Sequence, residues 1–170
     1  QVKVGDWNSL TSFLQIRDVE LIENTLYTAT EGGILSVKEY DYSIITNTNG
    51  LAGVDLLSIE KDNNDHLWVG GNSPFGFLQL YDPLNKESIS FFDFQLTAIN
   101  DIQVKDSTTW VLFQDGQDNG LMKFIFNGKW EYRDSYRNFP DNITKINCFL
   151  ASDSMIFLGT NDGIYSSLLE

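Results

Sequence analysis

An all-β fold built from repeated four-stranded antiparallel units is what this sequence predicts, on three observations. Gly33, Gly76, Gly120 and Gly163 recur 43, 44 and 43 residues apart, and each opens an apolar run. A few residues upstream of each lies an aromatic in a β-rich stretch: Tyr27, Trp68, Trp110 and Phe157. Two residues beyond the aromatic sits Ala29, Gly70 or Gly159, small enough for a neighbouring backbone to approach, with Leu112 breaking the rule in the third unit. Repeats of this length made only of short strands indicate a β-propeller, one blade per repeat, here about four blades' worth.

The strand-like segments follow in order, each alternating or briefly continuous in apolar character. The first unit has them at 19–22, 26–29, 34–37 and 43–46, and the second at 56–59, 67–70, 77–80 and 89–92. In the third they fall at 102–104, 110–113, 121–126 and 130–132, and in the fourth at 146–150, 155–158 and 164–168, with no outermost strand. Between first and second strands the turns are rich in Asn, Asp and Ser (Asn24, 62–65, Asp106 with Ser107, 152–154). These side chains bond the local backbone, and Asn and Asp also tolerate left-handed geometry.

At the other end, residues 6–13 begin with Trp7, as the third unit's outer strand begins with Trp130, and precede the next inner strand in the same way. We therefore expect 1–13 as the outer strand of a split blade, blades over 14–55, 56–97 and 98–140, and an incomplete blade over 141–170. Two arrangements fit the offset, four blades closing on themselves or a segment of a larger propeller. We expect the second. With Gln1 in place of an initiator Met, we expect the true N-terminus to lie elsewhere.

Composition bounds the function classes. With 42% hydrophobic and 14% aromatic residues the chain can bury a sizeable core. Its 24 Asp and Glu against 11 Lys and Arg give a formal charge of −13, which repels phosphate backbones and anionic lipid surfaces, so nucleic acid is excluded as a partner. Apolar runs of a few residues fall far short of the roughly 20 that cross a bilayer, so the chain is not expected to be membrane-embedded. The lone Cys148, in an apolar run, is expected to pack as a small hydrophobe.

The stretch 57–71, Leu-Ser-Ile-Glu-Lys-Asp-Asn-Asn-Asp-His-Leu-Trp-Val-Gly-Gly, preceded by Asn49-Gly50-Leu51, resembles the two-component regulator propeller repeat. Degenerate copies lie at 26–35 and 156–165, so the resemblance covers nearly the whole chain. Leu112 and the lengthened turn at 114–119 depart from the pattern. The resemblance implies a periplasmic or cell-surface bacterial propeller, of the kind found in sensor ectodomains and in secretion-associated proteins. The segments 7–13 and 49–52 look more like the second group, which includes propellers of type IX secretion. What it implies in function is a non-catalytic recognition or scaffold module, taking a glycan-like ligand or a protein partner.

Catalytic constellations are scarce. His66 is the single histidine and stands in a turn, where we read it as solvated. One histidine and one cysteine cannot furnish a tetrahedral zinc site. The sequence 115–120 superficially resembles a calcium loop, but Phe126 stands where a bidentate Glu is required. We expect no cofactor and no metal. Asn142-Ile143-Thr144 fits a glycosylation triplet without force in a bacterial protein. Glu20 and Glu60 occupy similar inner-strand positions in successive blades and are expected to face the central channel, as solvated charge or as a catalytic pair. The alternative function is thus a propeller enzyme of the lyase or glycoside hydrolase class, with catalytic residues outside this segment.

Loop length supplies the binding candidates. From the aromatic to the repeat glycine there are 6 residues in the first and fourth units, 8 in the second and 10 in the third. Second-to-third strand loops open on the same face as the connections between blades. Asn72, Ser73 and Phe75, with Asp115, Gln117 and Asp118, are therefore the expected ligand- or partner-binding residues, with Phe75 offering a stacking ring.

Overall fold

The computed structural model describes residues 13–169, in which fifteen strands form four antiparallel sheets. The first sheet contains β1 (Ile16–Ile22), β2 (Thr25–Thr30), β3 (Gly33–Lys38) and β4 (Asp41–Ile45). The second contains β5 (Asp55–Lys61), β6 (Leu67–Ser73), β7 (Gly76–Asp82) and β8 (Glu87–Leu96). β9 (Ala98–Lys105), β10 (Thr108–Asp115), β11 (Asp118–Phe126) and β12 (Trp130–Tyr136) make the third, and β13 (Ile146–Ala151), β14 (Met155–Thr160) and β15 (Gly163–Leu168) the fourth. Strand order within each sheet is chain order. Each of the fifteen strand-like segments read from the sequence falls on one of these strands, 43–46 overrunning β4 by a residue, while β1, β6, β8, β9, β11 and β12 run three or four residues further than the sequence indicated. Apart from Phe13, the outer strand expected over 1–13 lies outside the described residues.

Turn chemistry follows the residue types. Asp65 and Asp106 take left-handed φ values of 59° and 52° between first and second strands. In the first sheet the left-handed residue is Glu23 (φ 51°), not its neighbour Asn24. Gly33 has φ 120°, and a Cβ there would collide with the Ile45 carbonyl on β4, so only glycine opens this strand.

Each inner strand carries a register shift at the same place: between Ile16 and Asp18, Leu56 and Ser58, Ile99 and Asp101, and Ile146 and Cys148. Such a bulge adds one residue, so side chains three apart in sequence share a face. Ile99 and Ile102 thereby point together toward the preceding sheet, while Asp101 and Gln103 point toward the following one.

Three cores result, one between each pair of successive sheets. The first joins Ala29 and Ile34 of the first sheet to Leu56, Ile59, Val69 and Phe77 of the second. In the second, Trp68 and Leu78 meet Ile99, Val111 and Phe124, and Trp68 stacks on Phe92 at 5.5 Å between ring centroids. The third sets Trp110, Leu112 and Leu121 against Ile146, Phe149 and Leu158. A buried tie crosses the second interface, where Trp130 Nε1 donates to Asp62 Oδ2 at 2.9 Å.

The small residue after the aromatic does allow close approach at Gly70, whose added Cβ would stand 2.8 Å from Ile99 Cβ. Leu112 fills the equivalent place because the fourth sheet leaves it room, and it is fully buried there. Cys148 corrects an expectation. It is exposed, because it lies on the face of the fourth sheet that no other sheet among the described residues covers. In the second unit β6 and β7 pair with each other only as far as Gly71 and Phe77, and beyond that Ser73 pairs with Asp55 and Gly76 with Leu96. The third unit's lengthened loop is not a loop, since β10 and β11 pair to Asp115 and Asp118 and the extra residues extend a hairpin that leaves a turn of two residues. Gly120 is accordingly the third residue of β11, not its first.

Candidate functional site

Two places concentrate polar chemistry, the channel lined by the inner strands and the face bearing the connections between sheets. In the channel, a side chain of one sheet repeatedly accepts a backbone N–H of the next. Asp18 Oδ2 accepts from Ile59 N at 3.0 Å and from Ser58 Oγ at 2.9 Å. Ser58 Oγ accepts from Ile102 N at 3.1 Å, and Asp101 accepts from the Phe149 backbone. Two residues on, Glu20 Oε2 accepts from Lys61 N at 3.3 Å, Glu60 from the Val104 backbone, and Gln103 Oε1 from Ala151 N at 3.0 Å. These bonds satisfy inner-edge N–H groups that β-sheet pairing leaves without partners.

Crowding carboxylates in this channel has an electrostatic cost. Burial, then the charges of Glu20, Asp18 and Asp101, push the Glu60 carboxyl up to about 7, against the opposing Val104 N–H. Burial and Asp18 push Asp101 to about 6, although the Phe149 and Ile102 N–H groups oppose the rise. Asp18, Glu60 and Asp101 line an open cleft of about 420 Å³ with Gln103, Lys105 and Trp110. Glu20 and Glu60 do face the channel from successive sheets, as the sequence suggested. Among the described residues no group of three or more His, Cys, Asp or Glu is arranged to hold a metal ion. His66 stands in the β5–β6 turn, with Nδ1 3.4 Å from Asp62 Oδ2.

On the other face, the second-to-third strand turns bond to the connections between sheets. Gly116 N donates to Thr97 Oγ1 at 2.8 Å, Arg137 pairs with Asp115 at 2.7 Å, and Lys145 N donates to Asn161 Oδ1 at 2.9 Å. Arg137 also lies over the Phe113 ring, 4.7 Å from its centroid. Gln117, Asp118 and Asn119 of the β10–β11 hairpin form one wall of a cleft of about 610 Å³, and Arg137, Phe139 and Thr144 of the following connection form the other. Asp115 borders this cleft through its pair with Arg137. Asn72, Ser73 and Phe75 do not line it. They belong to the β6–β7 hairpin one sheet away, where Phe75 projects to solvent at 45% exposure and the Ser73 carbonyl lies against Gly53. Thr144 was singled out in the sequence only within a glycosylation triplet, and Arg137 and Phe139 not at all. Their one signal is the length of the connection after β12, the place where the repeat spacing carries nonstrand residues.

The extracellular domain of the hybrid two-component system protein BT3049 from B. thetaiotaomicron superposes with a TM-score of 0.70 at 17% identity, over 92% of this chain and 23% of that one. PorZ, a bacterial surface component of the type IX secretion system of Porphyromonas gingivalis, gives 0.64 at 14% identity, over 91% of this chain and 24% of that one. The β-propeller domain of Cps50 (Swd1) from Myceliophthora thermophila gives 0.67 at 14%, over 88% and 56%. The chain is a β-propeller arc. It spans about a quarter of the length of the two bacterial structures. Both are of the kinds that the two-component regulator repeat resemblance pointed to. No family profile and no curated protein matches the chain. Among the described residues no helix is long and apolar enough to cross a membrane.

Proposed function

We propose that the chain is a non-catalytic recognition module of a bacterial periplasmic or cell-surface protein, binding a glycan-like ligand on the face that carries the connections between sheets. The observation behind this reading is the cleft between the β10–β11 hairpin and the connection after β12. There Gln117, Asn119, Asp118 and Arg137 line the cleft together with Phe139. Amide, carboxylate and guanidinium groups bond hydroxyls in defined directions, while an aromatic ring stacks on the apolar face of a sugar. The channel carboxylates favour a non-catalytic reading, because Asp18, Glu60 and Asp101 are each engaged by backbone N–H groups of the next sheet. Each thereby holds a neighbouring strand in place, a structural role that accounts for its position.

Likeness to PorZ supports a second reading, in which the same face docks a protein in a secretion apparatus. A panel of oligosaccharides screened by calorimetry against the wild type and Arg137→Ala separates the two. Binding to at least one oligosaccharide, weakened about tenfold or more by the substitution, supports the glycan reading. No binding across neutral and acidic oligosaccharides refutes it and leaves protein docking.

A further inference from the structure

The series of inter-sheet interfaces ends in two faces that fit each other. In the second, third and fourth sheets, the inner-strand residues that enter the preceding sheet are buried: Leu56 and Ile59, Ile99 and Ile102, Ile146 and Phe149. Their equivalents on β1, Ile16 and Val19, are 54% and 53% exposed. On the opposite side, the residues that receive a following sheet are Ala29 and Ile34, Gly70 and Leu78, Leu112 and Leu121, all buried. Their equivalents in the fourth sheet are Gly159 and Ile164, and Ile164 is 83% exposed. Among the described residues, an uncovered set of projecting residues thus stands at one end of the series and an uncovered receiving surface at the other.

The hydrogen-bond ladder makes the match specific. A generic next sheet would need acceptors at positions 148 and 150, where earlier sheets have Asp18 and Glu20, Ser58 and Glu60, or Asp101 and Gln103. The fourth sheet has Cys148 and Leu150, which offer no such acceptor. The first sheet needs none. Its Val19 N–H is bonded by Asp18 Oδ1 at 2.9 Å, and its Leu21 N–H by Glu20 Oε1 at 2.7 Å. An apolar receiving face without acceptors therefore pairs with a projecting face whose N–H groups are already satisfied, and no buried donor is orphaned. None of Ile16, Val19, Leu21, Cys148, Leu150 or Ile164 carries a charge.

We propose that the fourth sheet's outer face receives the first sheet of a second copy of this chain, head to tail, extending the arc into a larger propeller. Such an interface is heterologous, so each copy presents one face of each kind. This inference is independent of the loop-face cleft.

The test is the mass of the protein by light scattering across a micromolar concentration series under reducing conditions, for wild type, Val19→Lys and Ile164→Lys. Wild type should reach at least twice the 19.3 kDa of one chain, and each variant alone should stay at one chain. Mixing the two variants should restore a two-chain species, because one supplies an intact receiving face and the other an intact projecting face. Circular dichroism confirms that each variant is folded. Should a variant fail to fold, Val19→Thr and Ile164→Thr replace it, with association expected to weaken about tenfold. A wild type that remains one chain throughout, or variants that associate like wild type, overturns the proposal, the first result leaving ring closure or further blades to cover these faces.

Discussion

Replacing Glu60 by Gln should make the protein more stable at alkaline pH and flatten its pH dependence. The folded state holds a proton on Glu60 up to about 7 and on Asp101 up to about 6, above the ordinary 4.5 and 3.8. Stability from these groups is therefore fully present below the ordinary carboxylate range and is lost as pH rises through about 6–7. The displacement of Glu60 alone corresponds to about 3 kcal/mol in a sealed site. Its channel is open to water, so screening leaves about 1–2 kcal/mol for Glu60 and Asp101 together between about pH 8 and about pH 5.5. For a chain of this size that is a rise in thermal midpoint of about 3–6 °C on acidification. Gln at position 60 can still accept the Val104 N–H, as Gln103 accepts the Ala151 N–H at the equivalent place in the third sheet. Thermal melts followed by circular dichroism at several pH values should show E60Q roughly 1 kcal/mol more stable than wild type near pH 8, with less than half the wild-type slope. A variant that is less stable than wild type at pH 8, or that keeps the full slope, refutes the reasoning.

Two further substitutions probe the interfaces. Trp130→Phe removes the donor to Oδ2 of the buried Asp62, whose Oδ1 keeps its bonds from Asn64 and His66 N–H, at a cost of about 1.5–3 kcal/mol in urea unfolding. Gly70→Val drives a side chain into Ile99 across the second interface and should cost at least about 1–3 kcal/mol, part of it recovered when Ile99→Ala is added.

The strands are legible in the sequence because their signals are local. An aromatic, a small residue and a polar turn recur around Tyr27, Trp68, Trp110 and Phe157, and each reports only on its own hairpin. The partnership of Glu20 with Glu60 is also legible, since equivalent positions in successive repeats must face one channel. Their engagement by N–H groups of the next sheet is not, because nothing in the residue type tells a solvated carboxylate from one holding a neighbouring strand. Asp115 and Asp118 read as loop residues, yet they pair across a two-residue turn, since polar residues suit an exposed hairpin end as well as a loop. Arg137 and Phe139 are brought to Gln117 by tertiary packing alone. Cys148 was misread for a related reason: its apolar neighbours indicate a strand, but not whether another sheet covers that face.

The repeating interface, left open at two matched faces, is tested most directly by the reactivity of Cys148 toward a thiol reagent at increasing protein concentration. Cys148 lies on the receiving face at the position where Asp18, Ser58 and Asp101 meet the next sheet. Head-to-tail association should lower the labelling rate about tenfold or more as protein concentration rises, with the rate restored in Val19→Lys. A rate that stays the same at every concentration contradicts it.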